Sequence, residues 1–138
     1  MTTFAQARVA LLEEYVDNTV LASTQVTLEN EQYKGPSDTP WVRVSVRHFD
    51  GGQGSLGGVG QRKFDRLGSV FVQIFIPQDS GGTDDAETIA HEARTLLEGK
   101  SLLGTTVNTL TTNIREVGLL DGYYVMVAET GFEYQETR

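Results

Sequence analysis

A glycine-rich run between two apolar segments carries the residues best suited to phosphate chemistry. Gly52, Gly54 and Gly57 fit the pattern G-x-G-x-x-G, and Val59 extends it to the pattern of a kinase phosphate loop. A dinucleotide site needs a helix directly after the glycines, because the helix N-terminus holds the pyrophosphate. Further glycines and a strand-like segment follow instead, and no later kinase motif is present. The run therefore predicts a loop, not a phosphate site.

Motifs for metal binding and hydrolysis are incomplete. His91 and Glu92 begin the zinc pattern H-E-x-x-H, but its second histidine is replaced by Thr95. Ser55 lacks the first glycine of G-x-S-x-G, because Gln53 stands there. The chain has no cysteine, which excludes a thiol nucleophile and a zinc-thiolate site. We expect no catalytic residue, no metal site and no cofactor, and we expect that the protein is not an enzyme.

The composition indicates one domain that spans residues 1–138, which is long enough to bury a core without metals or disulfides. The first residues lack the charged start and apolar run of a signal peptide. No apolar stretch approaches the ~20 residues of a membrane helix. We therefore expect a soluble protein with no membrane contact.

The charge is acidic overall but unevenly distributed. A net charge of −8 argues against a dedicated binder of duplex DNA, which gains affinity by neutralising phosphates. Residues 1–38 and 79–98 each carry six acidic groups, whereas residues 39–78 are basic. The split is consistent with a solvated surface, or with a head-to-tail contact in which the basic part of one copy meets an acidic surface of the next. The basic residues of 39–78 are Arg43, Arg47, Arg62, Lys63 and Arg66.

Two segments alternate between apolar and other residues with the period of a half-buried strand. They are Trp41–Phe49 and Ser69–Ile76, and Pro77 ends the second because it has no N–H for the ladder. His48 continues the apolar face of its strand, so we interpret it as a structural histidine. The predicted inward side chains are Val42, Val44, Val46, Val70, Val72, Ile74 and Ile76, with Phe71 and Phe75 behind them. Between the strands, residues 50–66 are predicted to form a long loop that contacts another molecule.

Two helices are predicted. The first runs from Phe4 to about Val16, with Thr2 or Thr3 as its cap. Its apolar stripe comprises Ala5, Val9, Leu12 and Val16, widened by Leu11 and Tyr15. The second is predicted to begin at Asp84 as N-cap, with Glu87 completing a capping box, and to end before Gly99. Its stripe comprises Ala86, Ile89, Ala90, Ala93, Leu96 and Leu97, while Glu87, Glu92, Arg94 and Glu98 are expected to face water.

The remaining segments read as strands. Residues 25–28 form a short strand, and residues 105–115 pair with a strand from Tyr123 that Phe132 and Tyr134 extend. Asp121-Gly122 is the turn between them. The predicted fold class is α+β: an antiparallel β-sheet packed against two α-helices, with a long glycine-rich hairpin loop.

The order of these elements is similar to that of a known family. The short N-terminal helix, Val26–Tyr33, a proline-rich loop and Pro40–Val44 form the first half. The glycine-rich excursion, Gly68–Pro77, the second helix and the closing Asp121–Val127 with Phe132–Tyr134 form the second half. Over nearly the whole chain this resembles the tail terminator proteins of long-tailed bacteriophages and related prophage tails.

The resemblance implies a structural virion protein that assembles as a hexameric ring on the tail tube. Such a ring ends polymerisation of the tube and provides the surface to which the head connector docks. The implied partners are the chain itself, the tail tube protein and a head–tail connector or stopper protein, with DNA only passing through the lumen. The implied location is the neck of the virion, assembled in the cytoplasm of the host bacterium. A charge-split subunit suits a closed head-to-tail ring, and an acidic lumen would not retain DNA.

The residues predicted to form protein interfaces are Arg43, Arg47, Phe49, Arg62, Lys63 and Arg66. The two guanidinium groups on the first strand could meet carboxylates of another chain. Alternative functions are another neck component, such as a connector or stopper, a small monomeric acidic binding module, and a ligand-binding enzyme that uses the glycine loop.

Overall fold

The computed structural model describes residues 3–35, 38–53, 57–78, 82–104 and 106–137. It has the α+β fold that the sequence predicts, with two helices on one face of a six-stranded sheet. The elements in chain order are α1 (Phe4–Val16), a 3-10 turn (Ser23–Gln25), β1 (Val26–Leu28), β2 (Trp41–Gln53), β3 (Lys63–Pro77), α2 (Gly82–Leu97), β4 (Ser101–Leu102), β5 (Val107–Leu120) and β6 (Tyr123–Thr137).

The sheet is mixed, with the strand order β1-β2-β3-β6-β5-β4. Only β1 runs parallel to its neighbour, β2, and the other described pairs are antiparallel. The long strands β2, β3, β6 and β5 form the central ladder. Asp121 and Gly122 close the β5–β6 hairpin with φ of 51° and 84°, which confirms the predicted turn, because both central residues of a type I′ turn need positive φ.

The loop predicted at residues 50–66 is strand at both of its ends, which corrects the prediction of one long loop. β2 continues to Gln53, and β3 begins at Lys63. The added residues pair with each other after a bulge between Phe49 and Gly52. A Cβ at Gly51 would overlap the backbone carbonyl oxygen of Asp65, so this glycine serves close strand approach and not a flexible loop. Residues 57–62 connect the strands, and residues 54–56 lie outside the described part of the chain.

The first helix has the predicted bounds, and of its predicted apolar side chains only Leu11 and Tyr15, which widen the stripe, are fully buried. Ala7, Leu11 and Tyr15 are fully buried, whereas Val9 is 51% exposed and Val16 is 38% exposed. Both sets have helical spacing, and the set that includes the large Tyr15 ring removes more apolar surface from water when it faces the core. The predicted stripe of Ala5, Val9, Leu12 and Val16 is therefore wrong as a core face, although Leu12 packs partly against the core.

Thr3 caps α1, as predicted for one of two threonines. Its Oγ1 accepts a hydrogen bond from the backbone N–H of Gln6 at 3.2 Å, and the Gln6 side chain accepts one from the Thr3 N–H at 3.0 Å. The two bonds form a capping box that satisfies two backbone donors.

The second helix buries the predicted stripe but begins earlier than expected. It starts at Gly82, so Asp84 lies in its first turn and is not the N-cap. The carboxylates of Asp84 and Asp85 remain favourable there because of the helix dipole. Gly99 follows the helix with a φ of +66°, which confirms the predicted termination.

Three of the side chains that we predicted to face water instead bind neighbouring elements, and one of them is Glu98, which accepts a hydrogen bond from the Thr112 N–H at 2.8 Å. The Glu92 carboxylate accepts hydrogen bonds from the Thr19 hydroxyl and from the backbone N–H of Val20, the latter at 3.2 Å. Arg94 donates to the backbone carbonyl oxygen of Thr112 at 3.3 Å. These contacts fix α2 against the end of α1 and against β5.

The core lies between the helices and one face of the central ladder. It contains the predicted valines and isoleucines of β2 and β3, the small and leucine side chains of α2, and Met126, Ala128 and Phe132 of β6. In β5, Val107 and Thr109 are buried and Leu110, on the opposite face, is 45% exposed. A bulge between Thr109 and Thr112 then interrupts the alternation.

We predict that Gly68→Ala destabilises the protein by about 1–3 kcal/mol, because overpacking forces the backbone to shift. A Cβ at Gly68 would overlap the backbone oxygen of Arg47 and the ring of Phe132. Gly52→Ala is the matched control, since its Cβ meets nothing within 4 Å, and it should change the free energy of unfolding by less than about 1 kcal/mol. Urea unfolding of both variants measures the difference, and equal stabilities would contradict this account of the central strand.

Candidate interaction surface

The six residues predicted to form interfaces do not make one cluster. Arg43 lies near the start of β2, whereas Arg47 and Phe49 lie further along it and the others lie on or beside the paired part of β3. All six belong to the β2–β3 hairpin, but their surroundings differ.

Arg43 belongs to an aromatic ladder on the sheet face that the helices do not cover. Its guanidinium carbon lies 5.2 Å from the ring centre of Trp41 and 6.0 Å from that of Phe75. Trp41 is stacked between Tyr33, at 4.3 Å, and Phe75, at 4.2 Å, and contacts the edge of Tyr123 at 6.2 Å. Among the described residues, the buried Arg43 Nε and Trp41 Nε1 have no hydrogen-bond partner. The sequence signal for this ladder was the odd-numbered face of the two strands, which carries Trp41, Arg43 and Phe75.

Arg66 and Arg62 make bonds within the chain. Arg66 donates to the Glu136 carboxylate at 2.9 and 3.2 Å and lies over the ring of Phe64 at 5.3 Å. Arg62 Nε donates to the carbonyl oxygen of Gly57 at 2.8 Å, across the connection between β2 and β3. Both side chains therefore support the local structure of the hairpin. Lys63 is exposed, and its backbone position is opposite Thr137.

Arg47 and Phe49 are the most available members of the set. Both side chains are exposed, Phe49 by 51%. Arg47 has no ion pair or hydrogen bond to the part of the chain that the structure describes. An open groove of about 530 Å³ separates them from α1, and it is lined by Phe4, Arg8, Glu29, Val46, Arg47, His48 and Phe49. A cation and an aromatic ring at an exposed strand edge are typical components of a protein interface.

His48, which the sequence predicts to be a structural histidine, also makes a polar contact with another strand. Its Nε2 lies 2.9 Å from the Tyr134 hydroxyl, and its ring stacks on Phe4 with centres 3.7 Å apart. Burial, and then the positive charges of Arg8 and Arg66, lower the pKa of His48. The contact connects α1 with β2 and β6. No sequence motif predicts this contact, because Phe4 and Tyr134 are far from His48 in sequence.

The β5 edge of the sheet, opposite the β2 edge, carries two carboxylates without a partner among the described residues. Glu87 of α2 and Glu116 of β5 are exposed beside a groove of about 410 Å³, which Ala90, His91, Arg94, Ile114 and Met126 also line. Neither carboxylate has a hydrogen-bond or ion-pair partner within the described ranges. Burial, followed by the charges of Glu116 and Glu87, raises the pKa of Tyr124. The β5 edge therefore presents the carboxylates of Glu87 and Glu116, while the β2 edge presents Arg47.

Among the described residues, exposed large apolar side chains lie close together in sequence at two places. One is the outer face of α1 and the turn after it, with Val9, Val16 and Val20. The other is the tip of the β5–β6 hairpin, where Val117, Leu119 and Leu120 are each more than half exposed. Clustered exposed apolar residues mark contact surfaces more often than isolated ones do.

Within the described ranges of the chain, no group of three or more histidine or acidic side chains could hold a metal ion. No helix in those ranges is long and apolar enough to cross a membrane.

Comparisons with known proteins support the fold alone. No family model matches the chain, and no curated protein matches it. Thirteen chains of solved structures do match. One of them, whose name gives no function, superposes with a TM-score of 0.70 at 17% sequence identity over 94% of both chains. The whole architecture therefore recurs in another protein, and at this identity the likeness concerns the fold.

We predict that the folded protein loses stability as the pH falls below 6.5, the ordinary pKa of histidine, because the pKa of His48 is lowered in the folded state. In that range the unfolded chain binds more protons than the folded chain, so the free energy of unfolding decreases as the pH decreases. Urea unfolding between pH 7.5 and 5 should show this decline, and His48→Gln should reduce it.

The other histidine provides the control for this measurement. His91→Gln makes the same substitution at an exposed position of α2 and leaves the His48–Tyr134 contact in place, so a reduced decline in the His48 variant alone assigns the decline to His48. An unchanged profile in the His48 variant would show that the decline arises elsewhere.

Proposed function

We propose that this chain is a tail terminator: a structural subunit that forms a ring on the end of a long-tailed phage tail tube. The ring ends tube polymerisation and presents a docking surface to a connector or stopper protein. The proposal rests on the resemblance of element order given above and on the surface properties of the fold. The ring is proposed to be a hexamer, and the virion neck its location.

The observation that carries the proposal is the separation of unpaired charge. Arg47 lies on the β2 side of the sheet, and Glu87 and Glu116 lie on the β5 side. Opposite charges on opposite sides of one subunit favour a heterologous contact, in which each copy presents one side to each neighbour. Such contacts close into a ring when a whole number of copies completes one full turn.

The exposed apolar surfaces support assembly over a monomeric function. A monomer gains nothing from exposing Val9, Val16 and the tip of the β5–β6 hairpin, whereas a subunit that contacts copies above, below or beside it removes such surface from water. The net charge of −8 is also compatible with a lumen through which DNA slides.

We predict that the purified chain limits the length of tail tubes. When tube subunits of the phage genome that encodes this chain polymerise in vitro, adding the chain should shorten the tubes and place an extra ring at one end. Negative-stain electron microscopy measures both the length distribution and the end structure. Sedimentation of the chain alone tests whether the ring forms before it meets the tube.

The contrasting outcomes separate the alternative functions. A ring that leaves tube length unchanged but binds finished tails indicates a stopper or connector. A chain that remains monomeric and leaves the tubes unlimited contradicts the proposal and favours a small binding module. An unrelated acidic protein of similar size is the control for nonspecific effects on polymerisation.

A further inference from the structure

Part of strand β2 is an open sheet edge. β1 pairs with β2 only at Val42, Arg43 and Val44. From Ser45 to Gln53, β2 pairs with β3 on its inner side, and no described residue pairs with its outer side. An open edge presents unpaired N–H and C=O groups, which another strand can bind.

Part of strand β5 is the open edge on the opposite side of the sheet. β4 pairs with its first two residues, and the end of α2 covers the next ones. Gly99 donates to the Leu110 carbonyl at 3.2 Å, and the Glu98 carboxylate accepts from the Thr112 N–H at 2.8 Å. Residues 113–120 pair only with β6 among the described residues.

We propose that these two open edges pair with each other between copies, so that the free part of β2 in one subunit adds as an antiparallel strand to the free part of β5 in the next. The proposal deepens the proposed ring function, because it names the contact that joins neighbouring subunits. The partner is a second copy of this chain.

Strand direction allows this pairing. β2, β3, β6 and β5 alternate in direction along the central ladder, so β2 and β5 of one subunit run in opposite directions. When copies follow each other around an axis to which the strands are tilted, as in a barrel, each β5 meets a β2 of the opposite direction. The junction is then antiparallel, like most pairs within the subunit. The free segments 45–53 and 113–120 are also of nearly equal length.

The position of the covered segments fixes the stagger between copies. In the register of the sheet, Ser45 is level with Asn113, and Trp41 is level with Gly118. The free part of β2 therefore extends toward one end of the sheet and the free part of β5 toward the other. Shifting each copy along the strands aligns the two free parts and leaves β1 and β4 beyond the ends of the contact. A closed barrel requires such a stagger.

The side chains at the two edges are complementary. The aligned segments would bring the exposed Phe49 of one copy beside the exposed Val117 at the tip of the β5–β6 hairpin of the next, so that apolar groups cover each other. Bulges at Phe49/Gly52 and at Glu116/Gly118 distort both edges. They favour one matched partner edge over indiscriminate strand addition.

Introduced charges test the pairing. We expect Phe49→Lys alone, and Val117→Glu alone, to weaken self-association about tenfold each, because an unpaired charge replaces an apolar side chain at the contact. The Phe49→Lys/Val117→Glu double variant should recover most of the wild-type affinity, since opposite charges then face each other across the contact. Sedimentation velocity measures the association, and far-UV circular dichroism checks that each variant is folded.

Controls and backbone measurements make the test specific. Glu133→Arg on β6 and Lys34→Glu are exposed and lie away from both edges, so they should leave association unchanged. Hydrogen exchange of the full chain should show that amides in 45–53 and 113–120 become protected on assembly. Failure of the double variant to recover, or a chain that is monomeric at every soluble concentration, would overturn the strand pairing.

The same measurements separate this inference from the proposed function. Rings that limit tube length while both edges stay unprotected would overturn the pairing and leave the terminator function standing. Assemblies with protected edges that do not affect tubes would overturn the terminator function and support the pairing.

Discussion

The fold depends on a central ladder of four long strands that is packed against helices on one face only. Valine and isoleucine side chains of β2 and β3 fill that face, and each buried side chain of this size contributes about 1.5–3 kcal/mol relative to exposure. Both helices lie on that face. The other face is therefore covered in part by the long side chains of its own strands. Arg43 over Trp41 and Phe75 is the clearest example.

Strand alternation was predictable because it is a local property of the sequence. The inward residues of β2 and β3 follow from the period of two. The turn at Asp121-Gly122 follows from the Asp-Gly pair, whose two residues adopt the positive φ angles that a tight hairpin turn requires. The buried face of α1 was not predictable in the same way. Two apolar stripes compete on that helix, and only the position of α2 and the sheet decides between them. Propensity gives the helix, whereas tertiary packing selects its face.

The glycine-rich segment shows why composition alone misleads. Glycine is common in loops, yet Gly51 and Gly68 lie in paired strands where a neighbouring backbone or ring leaves no room for a Cβ. The contact between His48 and Tyr134 was missed for a different reason. It joins residues 86 positions apart, and no short motif encodes a pair that only the sheet register brings together. Of the candidate interface residues, the sequence located the hairpin but could not tell Arg66, which binds Glu136, from Arg47, which is unpaired.

Exposure of charge, apolar surface and strand edges in one small domain has a physical consequence. Each feature alone is tolerable in a monomer, because surface ion pairs are worth little and single exposed apolar residues are common. Strand edges are a hazard, and natural sheets normally block them along their whole length. Here β1 and β4 block only opposite ends of the two edges. Blocking of that kind does not prevent pairing but restricts it to one stagger, so it gives a sheet a specific neighbour at little cost in stability. In the strand pairing that we propose, the short strands β1 and β4 act as stops that set the position of an adjoining subunit, a function that a long edge strand could not perform.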